Sequence, residues 1–449
     1  MLADGIGNAI QRSPIHCGKE GQTTKQTTHI GFERFIHGSV LLGQCRGSHI
    51  LLNPFMPVTR CDIFCKVIDN YGDIGVCWRL ARQLVRQHGL AVRLWVDDLA
   101  SFQRLAPAVD ATAATQTVQD VSVWRWDEAA AMAEPADIVI EAFACDPPEA
   151  YVAVMAARVR KPAWINLEYL TAEAWAAGSH GLPSPHPRLP LTKYFFFPGF
   201  TPDTGGLIRE AALTGRSPTL PHDKDTQQTF WARVEVPPPP PAALKVSLFA
   251  YENAAIPGLL DAWANGDRAI FCAVTAGRHV PQVQAWLNAV GTDVGREALT
   301  HDPHPPQQVG RLHLAFLPFL PQPDYDGLLA ACDLNFVRGE DSFVRAQWTG
   351  HPFIWHIYPQ EENAHQPKLA AFLELYSAGL GTAECSALRN FWQAWSDESD
   401  AGTRWPALLA ALPALQQHTE KWTSNLVSQT DLAAKLLIFC KNLLECPAL

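Results

Sequence analysis

From Cys61 onward, compact apolar runs alternate with amphipathic stretches of about ten to fifteen residues, and this rhythm admits few architectures. An apolar run without a polar face marks a strand buried on both sides, which needs a parallel sheet with helices over each face. The first half reads CDIFCKVI (61–68), AVRLWVDD (91–98), VSVWRW, DIVIEAFA (137–144) and AWINLEYL (163–170) as strands. VCWRLARQLVRQHG (76–89), ending on Gly89, LASFQRLA and PEAYVAVMAARVR read as helices between them. An irregular stretch, HGLPSPHPRLPLTKYFFFPGFTPDTGG, then leads toward VPPPPPAAL (236–244), whose five consecutive prolines form a stiff spacer.

Beyond the spacer the rhythm restarts. LKVSLFAY (244–251), RAIFCAV (268–274), RLHLAFLPFL (311–320), LNFVRG (334–339) and PFIWHIYP (352–359) read as strands. Helices are placed at 254–264, 280–290, 324–332, 342–349 and 363–378, and a helical tail carries Trp392, Trp395, Trp405 and Trp422. The expectation is an α/β chain of two Rossmann-like, doubly wound domains, 57–236 and 237–449, facing each other across a cleft. Ligands in such sheets bind at the carboxyl ends of the strands. Residues 1–56 read differently: they are Gly- and Thr-rich (GKEGQTTKQTTHIGF) and lack either periodicity. They are expected to be a disordered extension, or to precede the true start at Met56; a functional arm is the alternative.

Composition narrows the function. With 47% hydrophobic and 18% charged residues, the 449-residue chain folds around sizeable cores. Net charge is −10 and no basic tract occurs, so nucleic acid is not an expected partner. The 11 cysteines include no CxxC pair and no HExxH accompanies them, so no metal is expected and buried thiols in a reducing cytoplasm are the better reading. No apolar run approaches the ~20 residues of a membrane span, and no signal-peptide pattern opens the chain. A cytoplasmic protein without a membrane partner is expected.

Two loops carry candidate chemistry. The first, Asp69-Asn70-Tyr71-Gly72-Asp73-Ile74-Gly75, joins the first strand to the first helix. Its two carboxylates are placed to act on something in the cleft; alternatively Asp69 forms an Asx-turn and Asp73 caps the helix. It is not the GxGxxG fingerprint of dinucleotide binders. The second, Arg338-Gly339-Glu340-Asp341-Ser342-Phe343, also joins strand to helix, with Asp341 or Ser342 as the natural N-cap. A helix N-terminus there suits a diphosphate, and Arg338 and Arg345 add positive charge; the plainer account is an ordinary capped helix with surface ion pairs. Phe249, Tyr251, Gln322, Asp324 and Tyr325 sit at other strand ends, where an aromatic ring could stack on a nucleobase or simply pack the core. The Asp324-Tyr325-Asp326 triplet has the look of a metal-binding DxD but opens a helix.

Taken together, IFCKVIDNYGDIGVCWRLARQL, KYFFFPGFTPDTGGLIRE, SLFAYEN, LPQPDYDGLL and VRGEDSFVRAQWTGHPFIWHIYPQ resemble the elongation factor P arginine rhamnosyltransferases over residues 57 to about 440. Residues 1–55 have no counterpart in that likeness. The resemblance implies GT-B architecture and inverting, metal-independent transfer of L-rhamnose from dTDP-β-L-rhamnose to an arginine side chain of elongation factor P, without a cofactor. It implies Asp73 as general base, Asp69 as its acidic support and Glu340 as a second essential carboxylate. Asn70, Tyr71, Gly72, Asp73, Tyr251, Gln322, Pro323, Asp324, Glu340, Asp341, Ser342, Phe343 and Val344 would line the donor site. A GT-B transferase with another acceptor, or a non-catalytic binder of a translation factor, are the competing readings; retention of both acidic loops disfavours the binder.

Overall fold

The structure, a computed structural model, describes residues 59–68, 71–127, 133–210, 224–291, 307–358 and 365–445. The expected 1–56 extension lies outside the described residues, as do Asp69 and Asn70. Strands β1 (Arg60–Cys65), β2 (Ala91–Val96), β3 (Thr115–Val118), β4 (Val121–Arg125), β5 (Ile138–Ala142), β6 (Ala163–Leu167), β7 (Pro183–Pro185) and β8 (Thr192–Phe196) form one sheet. Its order is β3-β4-β2-β1-β5-β6-β8-β7, parallel throughout except for β3 and β7, which pair antiparallel at the two edges. Helices α1 (Gly72–His88), α2 (Leu99–Leu105), α3 (Glu149–Ala157), α4 (Trp175–Ser179) and α5 (Lys224–Arg233) intervene or follow.

The second sheet contains β9 (Leu244–Leu248), β10 (Ile270–Val274), β11 (Gln307–Val309), β12 (Leu312–Phe316), β13 (Leu334–Arg338) and β14 (Phe353–His356), ordered β11-β12-β10-β9-β13-β14. Only β11 runs antiparallel to its neighbour. Helices α6 (Ile256–Asn265), α7 (Val280–Ala289), α8 (Gln322–Ala331), α9 (Asp341–Gln347), α10 (His365–Tyr376), α11 (Thr382–Ser396), α12 (Ala401–Val427) and α13 (Leu432–Glu445) belong to this half of the chain. The two-sheet α/β class expected from the apolar runs is the one adopted. β5 and β10 are buried at every position, as strands covered on both faces must be. Among the described residues no helix is long and apolar enough to cross a membrane.

Three features depart from the sequence reading. The stretch read as irregular holds β8, whose Trp164↔Lys193 to Leu167↔Phe196 register extends the sheet beyond β6; the surrounding prolines had hidden a real strand. Packing also crosses the expected 236/237 division at both ends. α5 precedes the prolines, yet Phe230 and Trp231 bury with Phe271 of the second sheet and with Leu317 and Leu328 beside it. At the far end, α13 turns back to the first sheet, where Leu432, Ala433, Leu436, Leu437 and Cys440 join the core around Ile63 and Ile165. Amphipathic helices settle wherever an uncovered sheet face accepts their apolar stripe, and chain order does not decide which sheet that is.

The docking of α13 carries a stability consequence. Leu436 is 1% exposed, whereas Ile438 on the same helix is 57% exposed. Leu436→Ala should lower unfolding free energy by about 2–5 kcal/mol, and Ile438→Ala should change it by less than about 0.5 kcal/mol. Urea titration followed by tryptophan fluorescence checks both; equal effects would contradict the return of α13 to the first core.

Candidate active site

In each sheet the first strand lies inside, with successive strands added to one side and then to the other, so both sheets have a topological switch point, at β1/β5 and at β9/β13. Crevices open above the carboxyl ends of strands at such points. The loop after β1 and the loop after β13 therefore meet across one cleft. Its cavity, about 680 Å³ counted out to its open mouth, has Tyr71, Gly72 and Leu105 on one wall. Opposite are Phe249, Thr275, Phe319, Tyr325, Arg338 and the Gly339–Ser342 turn. Tyr71 and Phe319 touch across the lobes, ring centroids 4.9 Å apart, with the Arg104 guanidinium 4.9 Å above Phe319.

Two carboxylates meet at the cleft. The first helix begins at Gly72, four residues earlier than the sequence reading placed it, so Asp73 stands in its first turn; Tyr71 is the N-cap and makes no side-chain capping bond. Asp73 is 3% exposed and does not itself line the cavity. The Ile68 N–H donates to its Oδ2 at 3.0 Å, and the Tyr169 hydroxyl donates to its Oδ1 at 3.3 Å. Tyr169 is stacked on Phe143, centroids 4.3 Å apart. Phe143 and Ala144 hold positive φ of 59° and 55°, a strained backbone for side-chain-bearing residues, fixed by bonds to Leu167 O (2.7 Å) and Asn166 Oδ1 (3.1 Å). Glu340 faces Asp73 from the other lobe, and its Oε2 accepts the Leu170 N–H at 2.9 Å. Burial first, and then the neighbouring Asp73 and Asp341 carboxylates, push Glu340 up to about 8 against the opposing pull of the Leu170 N–H and Lys368.

A cation lines the same cleft. Arg338 ends β13 with its guanidinium 4.5 Å from the ring centroids of both Phe249 and Tyr251, and its buried Nε has no hydrogen-bond partner in the protein. A guanidinium held flat against aromatic faces with a donor unused is prepared for an incoming anion. Gly339, at φ 63°, allows the tight turn after the strand, and the Trp355 Nε1–H pins its carbonyl at 2.9 Å.

Of the residues the sequence singled out, the structure brings Tyr71, Gly72, Phe249, Gln322, Tyr325, Arg338, Gly339, Glu340, Asp341 and Ser342 to the cavity wall, which Asp73 does not itself line. Other expected donor-site residues among those described lie off that wall. Tyr251 is 5% exposed and backs Arg338 from below. Phe343, stacked on Trp355 at 4.0 Å, and Val344 are core side chains that could meet a ligand only through their backbone. Pro323 is exposed, and Asp324 pairs with Arg233 at 2.9 Å. The expected N-cap is corrected as well: Glu340 occupies it, Asp341 is turned to Arg79, and the Ser342 hydroxyl donates back to Arg338 O. Asp324 and Asp326 have separate arginine partners, and among the described residues no His, Cys, Asp or Glu group is arranged to hold a metal ion. Sequence reasoning missed Tyr169, Leu170, Phe319 and Arg104; the first two follow β6 in INLEYL, a position that itself points to the cleft.

A family profile described as Elongation-Factor P (EF-P) rhamnosyltransferase EarP matches residues 61–441. The protein-arginine rhamnosyltransferase of Pseudomonas putida is 49% identical over 381 residues, spanning 85% of this chain and 98% of that one. A protein of the same name from Neisseria meningitidis serogroup B is 38% identical over 397 residues, with 85% and 97% covered. Among solved structures, one described as "Structural basis for EarP-mediated arginine glycosylation of translation elongation factor EF-P" is 36% identical with a TM-score of 0.60, covering 85% of this chain and 99% of that chain.

The raised Glu340 carboxyl makes a pH prediction. From its ordinary 4.5 to about 8, the folded chain binds a proton there that the unfolded chain has released, so stability falls as pH rises through that window. Glu340→Gln removes this slope, and its melting temperature should gain on the native protein between pH 5 and 8, as differential scanning fluorimetry at about five pH values would record. A constant difference across the range would contradict the shifted carboxyl.

Proposed function

The chain belongs to the Elongation-Factor P (EF-P) rhamnosyltransferase EarP family, and on that premise we propose that it moves L-rhamnose from dTDP-β-L-rhamnose to an arginine side chain of elongation factor P. It is a glycosyltransferase of GT-B architecture. The observation that best supports the finer reading is that one cleft carries Arg338 and, two residues on, Glu340 beside Asp73. A nucleoside diphosphate suits the arginine and a guanidinium suits the two carboxylates.

The donor's diphosphate is placed against Arg338 and the first turn of α9, with the base toward Phe249, Thr275 and Tyr325. No metal is needed in this reading, because Arg338 and the backbone N–H groups after Glu340 take up the charge that accumulates on departing dTDP. The acceptor guanidinium enters between Asp73 and Glu340. Its positive charge makes ionisation of Glu340 favourable, so Glu340 releases its proton and accepts N–H bonds from the cation. Asp73 exchanges the long bond from the Tyr169 hydroxyl for one from the attacking nitrogen. That nitrogen is a poor nucleophile while its lone pair is delocalised, and it becomes acidic as the C–N bond forms. Asp73 then takes the proton as the C1–O bond to dTDP breaks on the opposite face, giving inversion. Asp69 and Asn70 keep their expected roles beside Asp73 and in the donor site. A cytoplasmic location fits the acceptor and the free thiols of the described cysteines.

Incubating the protein with dTDP-β-L-rhamnose and elongation factor P should add one deoxyhexose to a single arginine, read by mass spectrometry. Asp73→Asn should retain the fold and near-native dTDP affinity while turnover falls roughly 10²–10⁴-fold. EDTA should leave thermal protection by dTDP unchanged. An unmodified factor, or a fully active Asp73→Asn variant, would overturn the reading.

A further inference from the structure

Arg79 lies on α1 between one and two turns beyond Asp73, and its side chain is 2% exposed. A charge so removed from water requires close compensation. None of it comes from α1. Nε donates to Asp341 at 2.6 Å, Nη1 and Nη2 grip Asp326 of α8 at 2.9 and 2.8 Å, and Glu210 stands 3.5 Å away. Arg345 of α9, 5% exposed, completes the ring through Asp326 at 2.8 Å and through Glu210. Burial alone would raise Glu210, but Arg345 and Arg79 outweigh it and hold that carboxyl down to about 2. The same two arginines hold the Asp326 carboxyl below its ordinary value against its burial.

Beside it α1 and α9 approach as closely as a missing side chain permits. A Cβ on Gly75 would stand 3.1 Å from Asp341 Oδ2 and 3.2 Å from Gln322 Nε2. Gln322 Nε2 uses that space, donating to Gly75 O and to Asp341 Oδ2, each at 3.1 Å. Asp341 directly follows Glu340, and Gly75 is two residues past Asp73. The contacts that join the lobes thus flank the two carboxylates that face each other.

We propose that Arg79 is a positioning residue: without touching either substrate, it sets the separation of Asp73 from Glu340 by tying α1 to the first turn of α9 and to α8. This rests on the roles assigned above to those two carboxylates. Lysine keeps the charge of Arg79 but offers one donor centre, which cannot serve Asp341 and both Asp326 oxygens at once. The geometry, not the charge alone, is what the substitution removes. Asp326→Asn loosens the same tie from the other lobe, at a residue that does not line the cavity.

The test compares native protein, Arg79→Lys and Asp326→Asn. Both variants should melt cooperatively and bind dTDP within about threefold of native, while kcat falls by about ten- to a hundredfold, the scale of a small misplacement of reacting groups. The ascending limb of the kcat/KM–pH profile should move to lower pH. Glu340 is faced by Asp73 from α1, Asp341 from α9 and Lys368 from α10, and a looser seam takes Asp73 away and lets water in. A change in stability alone would not move that limb. Solution scattering of the ligand-free variants should give a larger radius of gyration than native. Native kcat in both variants, or a loss that follows only the folded fraction with an unmoved pH profile, overturns the proposal. If the native protein itself modifies no arginine, the roles of Asp73 and Glu340 fail instead, and an unchanged scattering profile in both variants would still remove Arg79 as the element that sets the lobes.

Discussion

The seam between the lobes is held by two buried arginines, Arg79 and Arg345, against Asp326, Asp341 and Glu210. Apolar side chains also cross the seam, with Leu170, Phe200 and Leu207 packed into the second core, but apolar contact is non-directional and by itself would let the sheets slide. A cluster of forked guanidinium–carboxylate pairs does not slide, because each bond has a preferred direction and losing one leaves a buried charge without a partner. The cleft takes its width from this ring. So does the placing of Tyr71 on Phe319, which closes part of the mouth, and of the Leu170 N–H on Glu340, which reaches across the lobes.

Charge is sorted within the cleft. Arg338 lies against two aromatic rings with a donor unused, while Asp73 and Glu340 stand together at the same cleft. Burial, and after it the neighbouring Asp73, raises the proton affinity of Glu340. A cation beside the pair lowers it again. A guanidinium delivered by a protein loop answers the need with a planar array of N–H donors that can meet both acids. The family to which the chain belongs and the chemistry of its cleft therefore point the same way.

The apolar runs made the α/β class, the two sheets and the strand ends legible, because strands buried on both faces leave an unmistakable hydrophobic signature. DNYGD and RGEDSF were legible as site loops since each joins a strand end to a helix start. Less visible was anything set by distant packing. WRLARQL reads as a helix with arginines on its polar face, and nothing local tells that Arg79 is buried by partners 247 and 262 residues away. The same limit explains the N-cap: Asp341 has capping chemistry, but Arg79 and Gln322 outcompete the helix for its carboxylate. β8 was masked by flanking prolines, and α5 and α13 were assigned by chain order although they pack by complementarity.

The central claim is that Asp73 and Glu340, one from each lobe, act together on a single guanidinium. A double-mutant cycle on kcat with Asp73→Asn, Glu340→Gln and the combined variant measures this directly. Groups that serve one transition state as a unit are strongly non-additive. The account predicts that the double variant is no more than about threefold slower than the slower single variant. Losses that simply multiply would mean that the two carboxylates work independently, and would contradict it.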